Sequence, residues 1–148
     1  MSFQIAIDGP VAAGKSTVAR ILAKKLDFVY VDTGAMYRAI TLLSLRNGID
    51  VRDEDEIVDL LRMTEIDVRS PKGEEVDGRL STVLLNGEDV SWEIRKTEIG
   101  EGASIVSQYP EVRRVLVRLQ QEIAKDQSVI MEGRDIGTRV LLEAILHK

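Results

Sequence analysis

Short apolar runs and glycine-containing polar turns alternate along the chain. Mainly apolar runs at residues 3–7, 28–31 and 128–131 are each followed by an acidic residue and then, within two positions, by a glycine. Short apolar runs that are bounded by turn residues predict buried strands. We therefore predict three core strands, each of which leads into an acidic turn.

Between these strands, apolar residues recur at three- and four-residue spacing, which predicts helices. The predicted helices begin at Lys15, follow the second strand up to Gly48, cover residues 53–63 and 94–107, and begin again at Pro110. Alternating strands and helices are typical of an open parallel α/β sheet. Ligands of such sheets bind beyond the carboxyl ends of the strands, where all three acidic turns are expected.

The middle of the chain has a different pattern. Residues 66–69 alternate between apolar and polar, residues 80–85 resemble a strand, and Asn86-Gly87 is a strong signal for a two-residue hairpin. We predict a small antiparallel β unit at about residues 64–93, inserted into a core formed by residues 1–63 and 94–148. The whole chain is then a single α/β domain with an inserted unit.

Composition narrows the functional classes. The 148 residues include no cysteine and one histidine, and 20 basic against 25 acidic residues give a net charge of −5. Disulfides, thiolate nucleophiles and cysteine- or histidine-rich metal sites are thereby excluded, and a nucleic acid is a poor candidate partner. The chain has neither an apolar run of membrane-spanning length nor a secretory leader. We therefore expect a cytoplasmic protein without membrane partners.

Residues 9–16 (GPVAAGKS) match the phosphate-loop pattern G-x-x-x-x-G-K-[ST]. Gly9 and Gly14 let backbone N–H groups curl around phosphate oxygens, and the next helix directs its positive end to the same anion. Lys15 can reach the β- and γ-phosphates, and the Ser16 hydroxyl can bind Mg²⁺. ATP and Mg²⁺ are the expected cofactors. The structural alternative is a plain strand–helix turn with a solvated lysine.

Other phosphate-loop classes lack support, because the chain has neither the Asn-Lys-x-Asp guanine reader nor the Leu-Ser-Gly-Gly transporter signature. These absences favour a small kinase with its second substrate over the strand ends. Thr33 and Arg38, after the second strand, are candidate phosphate contacts, since a guanidinium fork binds phosphate bidentately. The alternative is a helix cap at Thr33 and a surface arginine at Arg38.

Arg134-Asp135, after the third strand, is either a surface ion pair or part of a cytosine reader. A carboxylate accepts from the exocyclic amine of cytosine, while a guanidinium or hydroxyl donates to its acceptors. Asp135 with Arg134 or Ser104 supplies those groups. Uracil has a carbonyl in place of the amine, so Asp135 would disfavour it.

Residues of these types occur in the same order in a known family. The sequence resembles the bacterial cytidylate kinases, which act on CMP and dCMP. The matching stretches are IAIDGPVAAGKSTVARILAKK (5–25), FVYVDTGAMYR (28–38), NGEDVSWEIR (86–95), PEVR (110–113) and EGRDIGT (132–138). They occur in the family's order, and the resemblance runs from the start of the chain to about Val140. The inserted β unit is similar to the family's enlarged monophosphate-binding region.

The resemblance implies a role for each matching residue. Gly14, Lys15, Ser16 and Thr17 hold the donor phosphates and Mg²⁺. Residues that contact the phosphate and sugar region of CMP are Thr33, Arg38, Arg113 and Arg134, and the cytosine readers are Ser104 and Asp135. Asp32 matches an acidic strand end that orients either Mg²⁺-bound water or the acceptor. Arg113, taken alone, would be interpreted as a helix-surface arginine.

The implied reaction is transfer of the γ-phosphoryl group of ATP to CMP or dCMP, with Lys15 and Arg134 as catalytic cations. A general base is unnecessary, because the attacking phosphate oxygen is already an anion. After Thr138 the family continues with a further core strand, an arginine-rich lid and the adenine-binding loop, whereas this sequence ends at Lys148. We therefore expect a C-terminally truncated kinase of strongly reduced turnover.

The same comparison predicts an incomplete sheet, in which the first and third core strands have exposed faces or edges. Exposed strand edges favour pairing with a second chain, so self-association through an open edge is expected. Two other functions remain open. One is a non-catalytic nucleotide-binding or self-associating fragment, and the other is a phosphate-loop kinase for a different small phosphate acceptor.

Overall fold

The structure is a computed structural model that describes residues 3–8 and 15–133, with Lys15 and Ser16 described by their backbone only. The elements are β1 (Gln4–Asp8), α1 (Lys15–Leu26), β2 (Val29–Asp32), α2 (Thr33–Arg46), α3 (Glu54–Arg62), β3 (Ile66–Arg69), β4 (Thr82–Leu85), β5 (Glu88–Asp89), α4 (Thr97–Val106), α5 (Pro110–Lys125) and β6 (Val129–Gly133). Single 3-10 turns occupy Gly73–Glu75 and Glu93–Arg95. The expected α/β class, with a parallel sheet and a separate antiparallel sheet, is confirmed.

The parallel sheet has the strand order β1-β6-β2. Its register places Asp32 beside Glu132 and Asp8 beside Gly133, so the three strands end along one edge. The expectation that the third core strand has an exposed edge or face is wrong. Among the described residues, β6 pairs on both sides, and Val129, Ile130 and Met131 are fully buried. The outer strands are β1 and β2.

Each core strand runs further toward the carboxyl end than its apolar run. The strands end on Asp8, Asp32 and Gly133, and both Glu132 and Gly133 belong to β6 rather than to the loop that the sequence predicts. Apolar residues indicate burial, but backbone pairing also continues through polar residues at a strand end. The acidic residues therefore belong to the sheet and hold fixed positions.

The two faces of the parallel sheet pack against different helices. Ile5, Ile7, Tyr30 and Ile130 form a small core with α1. The opposite face joins a larger core with the other helices and the antiparallel sheet. Helix α2 lies at the centre of that larger core, where the side chains of Met36 and Ile40 are fully buried.

The antiparallel sheet has the order β3-β4-β5 and forms where the sequence predicts it. Asn86 and Gly87 form the predicted hairpin turn with φ values of 51° and 83°, which is the left-handed geometry that such turns require. Ile66 and Val68 on β3 lie opposite Leu85 and Val83 on β4, and all four are buried. One face of this sheet therefore belongs to the larger core.

Hydrogen bonds between arginine and acidic side chains connect the strands and turns of the antiparallel unit. Arg79 donates hydrogen bonds to Asp77 and Asp89, and Arg69 forms two hydrogen bonds with Glu75. The Arg69 hydrogen bond is the main cause that lowers the pKa of Glu75 to about 2. The contact therefore keeps the Glu75 carboxylate ionised at acidic pH values where an unpaired glutamate would be protonated.

The single helix predicted for residues 94–107 is wrong at its start. The structure has a 3-10 turn at Glu93–Arg95, an extended Lys96 with ψ of 144°, and then α4. In one continuous helix Ile94 would point about 160° away from the face that buries Ile99 and Ala103. The break lets both Ile94 and that face enter the core.

Among the described residues, no helix is long and apolar enough to cross a membrane.

Candidate functional site

The candidate site lies at the carboxyl edge of the parallel sheet. β1, β6 and β2 end side by side there, α2 begins directly after β2, and α1 begins seven residues after Asp8. The amino ends of two helices therefore lie on the side of the sheet where ligands bind, and such ends favour anions. This is the strand–loop–helix order that the phosphate-loop pattern requires.

The structure covers only part of the predicted phosphate loop. Gly9 and Gly14 lie outside the described residues, and so do Arg134 and Asp135. Lys15 and Ser16 form the first two positions of α1, and Thr17 follows with an exposed side chain. The backbone thus places the loop's last residues at the start of a helix, as predicted.

Asp32 joins β2 to α2. One carboxylate oxygen, Oδ1, accepts a hydrogen bond of 2.9 Å from the Gly34 N–H and caps the helix. A Cβ on residue 34 would lie only 3.1 Å from that oxygen, which accounts for glycine there. The second oxygen, Oδ2, lies 4.0 Å from Nη1 of Arg95.

Thr33 is buried, and its hydroxyl donates a 3.1 Å hydrogen bond to the carbonyl oxygen of Glu132. The alternative that Thr33 caps the helix is wrong, because Asp32 holds that position. Thr33 instead ties the start of α2 to the central strand. Its contact with a phosphate remains a prediction.

Glu132 was not singled out in the sequence, although it ends the central strand. Its carboxylate is buried and accepts a 3.2 Å hydrogen bond from the Tyr30 hydroxyl. Together with Asp8 and Asp32 it gives every strand of the parallel sheet an acidic residue at or next to its end. An acidic residue directly after an apolar run was the signal that could have identified it.

Arg38 projects from α2 toward α4. A Cβ on Gly100 would lie 3.9 Å from Nε and Nη2 of Arg38, so the guanidinium rests beside that glycine. Ser104 is exposed and lies one turn further along α4, on the same face of the helix as Gly100. The structure therefore brings Arg38 and the helix face of Ser104 to one side of α2.

Arg113 belongs to α5 and is one of the three arginines predicted to contact CMP. Burial is the largest influence on Tyr37, the neighbour of Arg38 on α2, and raises its pKa, while the nearby positive charge of Arg113 acts in the opposite direction. Arg113 is exposed, as expected for a residue on a helix surface, and its guanidinium lies near Tyr37.

The part of the chain that the structure describes contains no group of three or more acidic, histidine or cysteine side chains placed to hold a metal ion. Two surface depressions in the same part of the chain lie away from the strand ends. One lies among α3, β3 and α5, and the other is lined by the acidic loop at residues 50–55.

Comparison with known proteins assigns the family. The family model "Cytidylate kinase" matches residues 5–147. Curated relatives named cytidylate kinase are 53% identical over 143 residues in Leuconostoc mesenteroides, 54% over 144 in Caldanaerobacter subterraneus and 50% over 141 in Bacillus velezensis. These matches cover 95–97% of this chain, which spans about 60% of the relatives' length. The chain belongs to the cytidylate kinase family.

Proposed function

We propose that this chain binds ATP and CMP or dCMP as part of a kinase that transfers the γ-phosphoryl group of ATP to the pyrimidine monophosphate. The proposal rests on two observations: α1 and α2 both begin on the side of the carboxyl edge of the sheet, and Arg38 and Arg113 lie beside neighbouring parts of α2 and α4. Family membership supports the same reaction. A cytoplasmic location, with access to these nucleotides, follows from the proposal.

The donor phosphates would bind at the start of α1. Gly9, Gly14, Lys15, Ser16 and Thr17 would surround them with backbone N–H groups, one ammonium and two hydroxyls. Mg²⁺ bound to ATP would neutralise charge on the transferring group. The oxygen-rich donor set fits this ion, because Ser16 belongs to the first turn of α1 and carboxylates lie at or next to the ends of the neighbouring strands.

The phosphate of CMP would bind at the start of α2. Arg38 and Arg113 carry forked donors that match phosphate oxygens, and the Arg113 guanidinium lies near Tyr37 on α2. Thr33 and Arg134 are the other proposed contacts. Asp32, fixed as the helix cap, would orient the acceptor or water bound to Mg²⁺.

Catalysis by this arrangement is alignment and charge neutralisation. The acceptor phosphate is an anion, so no side chain has to remove a proton from it. Lys15 and Arg134 are the proposed catalytic residues. Turnover also depends on groups that close over ATP, and the reduced turnover expected for the 148-residue chain stays a prediction, so ligand binding is the sharper test.

Base selectivity tests the proposal. We expect the chain to bind CMP about 10- to 100-fold more tightly than UMP in calorimetric titrations, because Asp135 would accept from the cytosine amine but face a carbonyl of uracil. Asp135→Ala should remove this preference. Asp59→Ala, at an exposed position of α3, is the matched control and should retain it.

Each result separates the competing functions. Absence of any CMP-over-UMP preference in the unmodified chain would favour a kinase for another phosphate acceptor. A CMP preference that survives Asp135→Ala would contradict the role of Asp135 as the cytosine reader. ATP and CMP binding without detectable turnover would support the non-catalytic nucleotide-binding alternative. Absence of any nucleotide binding would contradict both the proposal and that alternative.

We also propose self-association through the outer edge of β1. Among the described residues, β1 pairs only with β6, so its other edge faces no described strand and is a place where a second chain could add one. Light scattering should show a mass that rises with concentration, and Gln4→Lys should weaken the rise, because a charged side chain blunts a strand edge. A monodisperse monomer at high concentration would refute this interface.

A further inference from the structure

A surface groove lies where the end of α3, the start of β3 and the second half of α5 meet. Its volume is about 470 Å³, and its apolar lining consists of Met63, Ile66, Leu119 and Ile123. Ile66 and Ile123 are buried, whereas Met63 is 78% exposed, more than any other large apolar side chain that the structure describes. The groove therefore combines a fixed apolar base with an adaptable methionine, a residue type that is common on surfaces that bind a partner.

The same groove is acidic. Glu65, Asp67 and Glu122 line it with exposed side chains, and Arg62 is the one basic residue among the described residues around it. Within residues 3–8 and 15–133, none of these three carboxylates forms an ion pair. An apolar base beside unpaired negative charge matches a basic amphipathic helix in both respects. We call this surface the acidic groove.

Helix α1 has a partly exposed apolar strip on its outer side. Ala19 is fully buried beside the parallel sheet, and Ile21 points about 160° away from it around the helix axis. Val18 lies three residues before Ile21 on the same side of the helix, and both side chains are 51% exposed. Two large apolar side chains are therefore available to a partner on this side of α1.

Basic residues surround this apolar strip. Lys24 and Lys25 are exposed and lie within about 60° of Ile21 around the helix axis, and the exposed Arg20 lies beside them. Helix α1 contains no acidic residue, and none of the ion pairs found in the described part of the chain involves it. A basic amphipathic helix is typical of segments that dock on acidic apolar surfaces. We call Val18, Ile21, Lys24 and Lys25 the α1 face.

The α1 face and the acidic groove are too far apart to meet within one molecule. Helix α1 packs on one face of the parallel sheet through the smaller core. The buried residues of the groove belong to the larger core, which lies on the opposite face of that sheet. Contact between the two surfaces therefore requires two molecules. Because one chain carries both of the matching surfaces, a second copy of the same chain fits the groove.

We propose that the α1 face of one molecule docks into the acidic groove of a second copy. The apolar strip covers the exposed Met63, while Lys24 and Lys25 lie beside the carboxylates of the groove. Because the two surfaces differ, each molecule of a pair keeps one of them free, and association continues unless it closes into a ring. The surfaces are small, so the contact belongs to the weak interfaces that bury less than about 1,200 Å². The inference goes beyond the proposed function and does not depend on which nucleotide the chain binds.

Sedimentation velocity of variants with reversed charges tests this contact. Every chain, including the parent, carries Gln4→Lys, so that the β1 edge proposed above as an interface contributes little. The groove variant adds Glu65→Lys and Glu122→Lys. The α1 variant adds Lys24→Glu and Lys25→Glu, and all four added changes are at exposed positions. Each variant should associate about 10- to 100-fold more weakly than the parent, because charges that faced opposite charges now face like ones.

A mixture of the two variants is the sharpest measurement. Each variant retains one intact surface, so equal amounts should form a one-to-one dimer with nearly the parent's affinity and no larger species. A control with Glu74→Lys and Glu101→Lys changes the net charge as the groove variant does, at exposed positions outside both surfaces, and should associate like the parent. Met63→Ala changes no charge and should weaken association about 3- to 30-fold, because apolar area is no longer covered.

The outcomes separate this contact from the other proposals. Groove and α1 variants that associate as strongly as the parent would overturn the docking. A mixture that stays monomeric would also overturn it, because each surface would then pair with its own kind. Equal losses in the control and in the groove variant would overturn it as well, since overall charge would explain both. A parent chain that stays monomeric at high concentration would overturn the docking and leave the kinase proposal intact, because nucleotide binding is measured separately.

Discussion

Replacement of Ile94 by alanine is expected to lower the free energy of unfolding by about 2–5 kcal/mol. Ile94 is fully buried in the larger core, and its truncation leaves a cavity that the fixed neighbours cannot fill. Urea denaturation, followed by the fluorescence of Trp92, gives the measurement, since Trp92 is the chain's one tryptophan and lies two residues away.

Two further substitutions make this result interpretable. Ile94→Val removes a single methyl group and should cost only about 0.5–1.5 kcal/mol. Leu45→Ala, at a largely exposed position of α2, should change the free energy by about 0.5 kcal/mol or less. An Ile94→Ala variant as stable as Leu45→Ala would contradict the burial that anchors the turn before α4.

A pair of glycines in α4 should respond in opposite ways to alanine. A Cβ on Gly102 would lie 2.7 Å from Cγ2 of Thr41 on α2, which forces the helices apart, whereas a Cβ on Gly100 would meet only the Arg38 side chain at 3.9 Å. Gly102→Ala should therefore destabilise the protein by about 1–3 kcal/mol. Gly100→Ala should stabilise it by up to about 1 kcal/mol through helix propensity.

Thermal unfolding of the two variants tests this difference, and Thr41 provides the rescue. Thr41→Ser removes Cγ2 but keeps the hydroxyl that bonds to the Tyr37 carbonyl at 2.7 Å. It should restore most of the stability lost in Gly102→Ala. Equal melting temperatures for Gly100→Ala and Gly102→Ala would refute the close approach of α2 and α4.

The sequence was sufficient for most elements but not for their arrangement. Periodicity located the three core strands, the hairpin at Asn86 and four of the five helices, because each signal lies within a dozen residues. The helix predicted from Ile94 was wrong at its start. The break at Lys96 depends on tertiary packing, because it allows both Ile94 and Ile99 to enter the larger core. The central position of β6 depends on pairing with strands about 100 residues earlier, which local patterns do not report.

The same limit applies to the candidate site. Thr33 and Arg38 belong to a segment that begins at a strand end, so the pattern could identify them. Arg95 closes the matching stretch at residues 86–95, but its approach to Asp32 is produced by the fold and has no local signal. Glu132 was overlooked as a group in its own right, because a charged residue next to a predicted turn is ordinarily interpreted as solvent-exposed.

The position of β6 between β1 and β2 has a consequence for synthesis on the ribosome. β2 ends at Asp32 and β6 begins at Val129, so roughly 100 residues must be translated before either outer strand meets its partner, which takes about 5–20 s at usual elongation rates. Throughout that interval β1 and β2 would present unpaired edges, a condition that invites aggregation. The hairpin and the helices between them make shorter-range contacts and can form earlier. Emergence of β6 therefore sets the earliest moment at which the parallel sheet, and the ligand edge that it carries, can assemble.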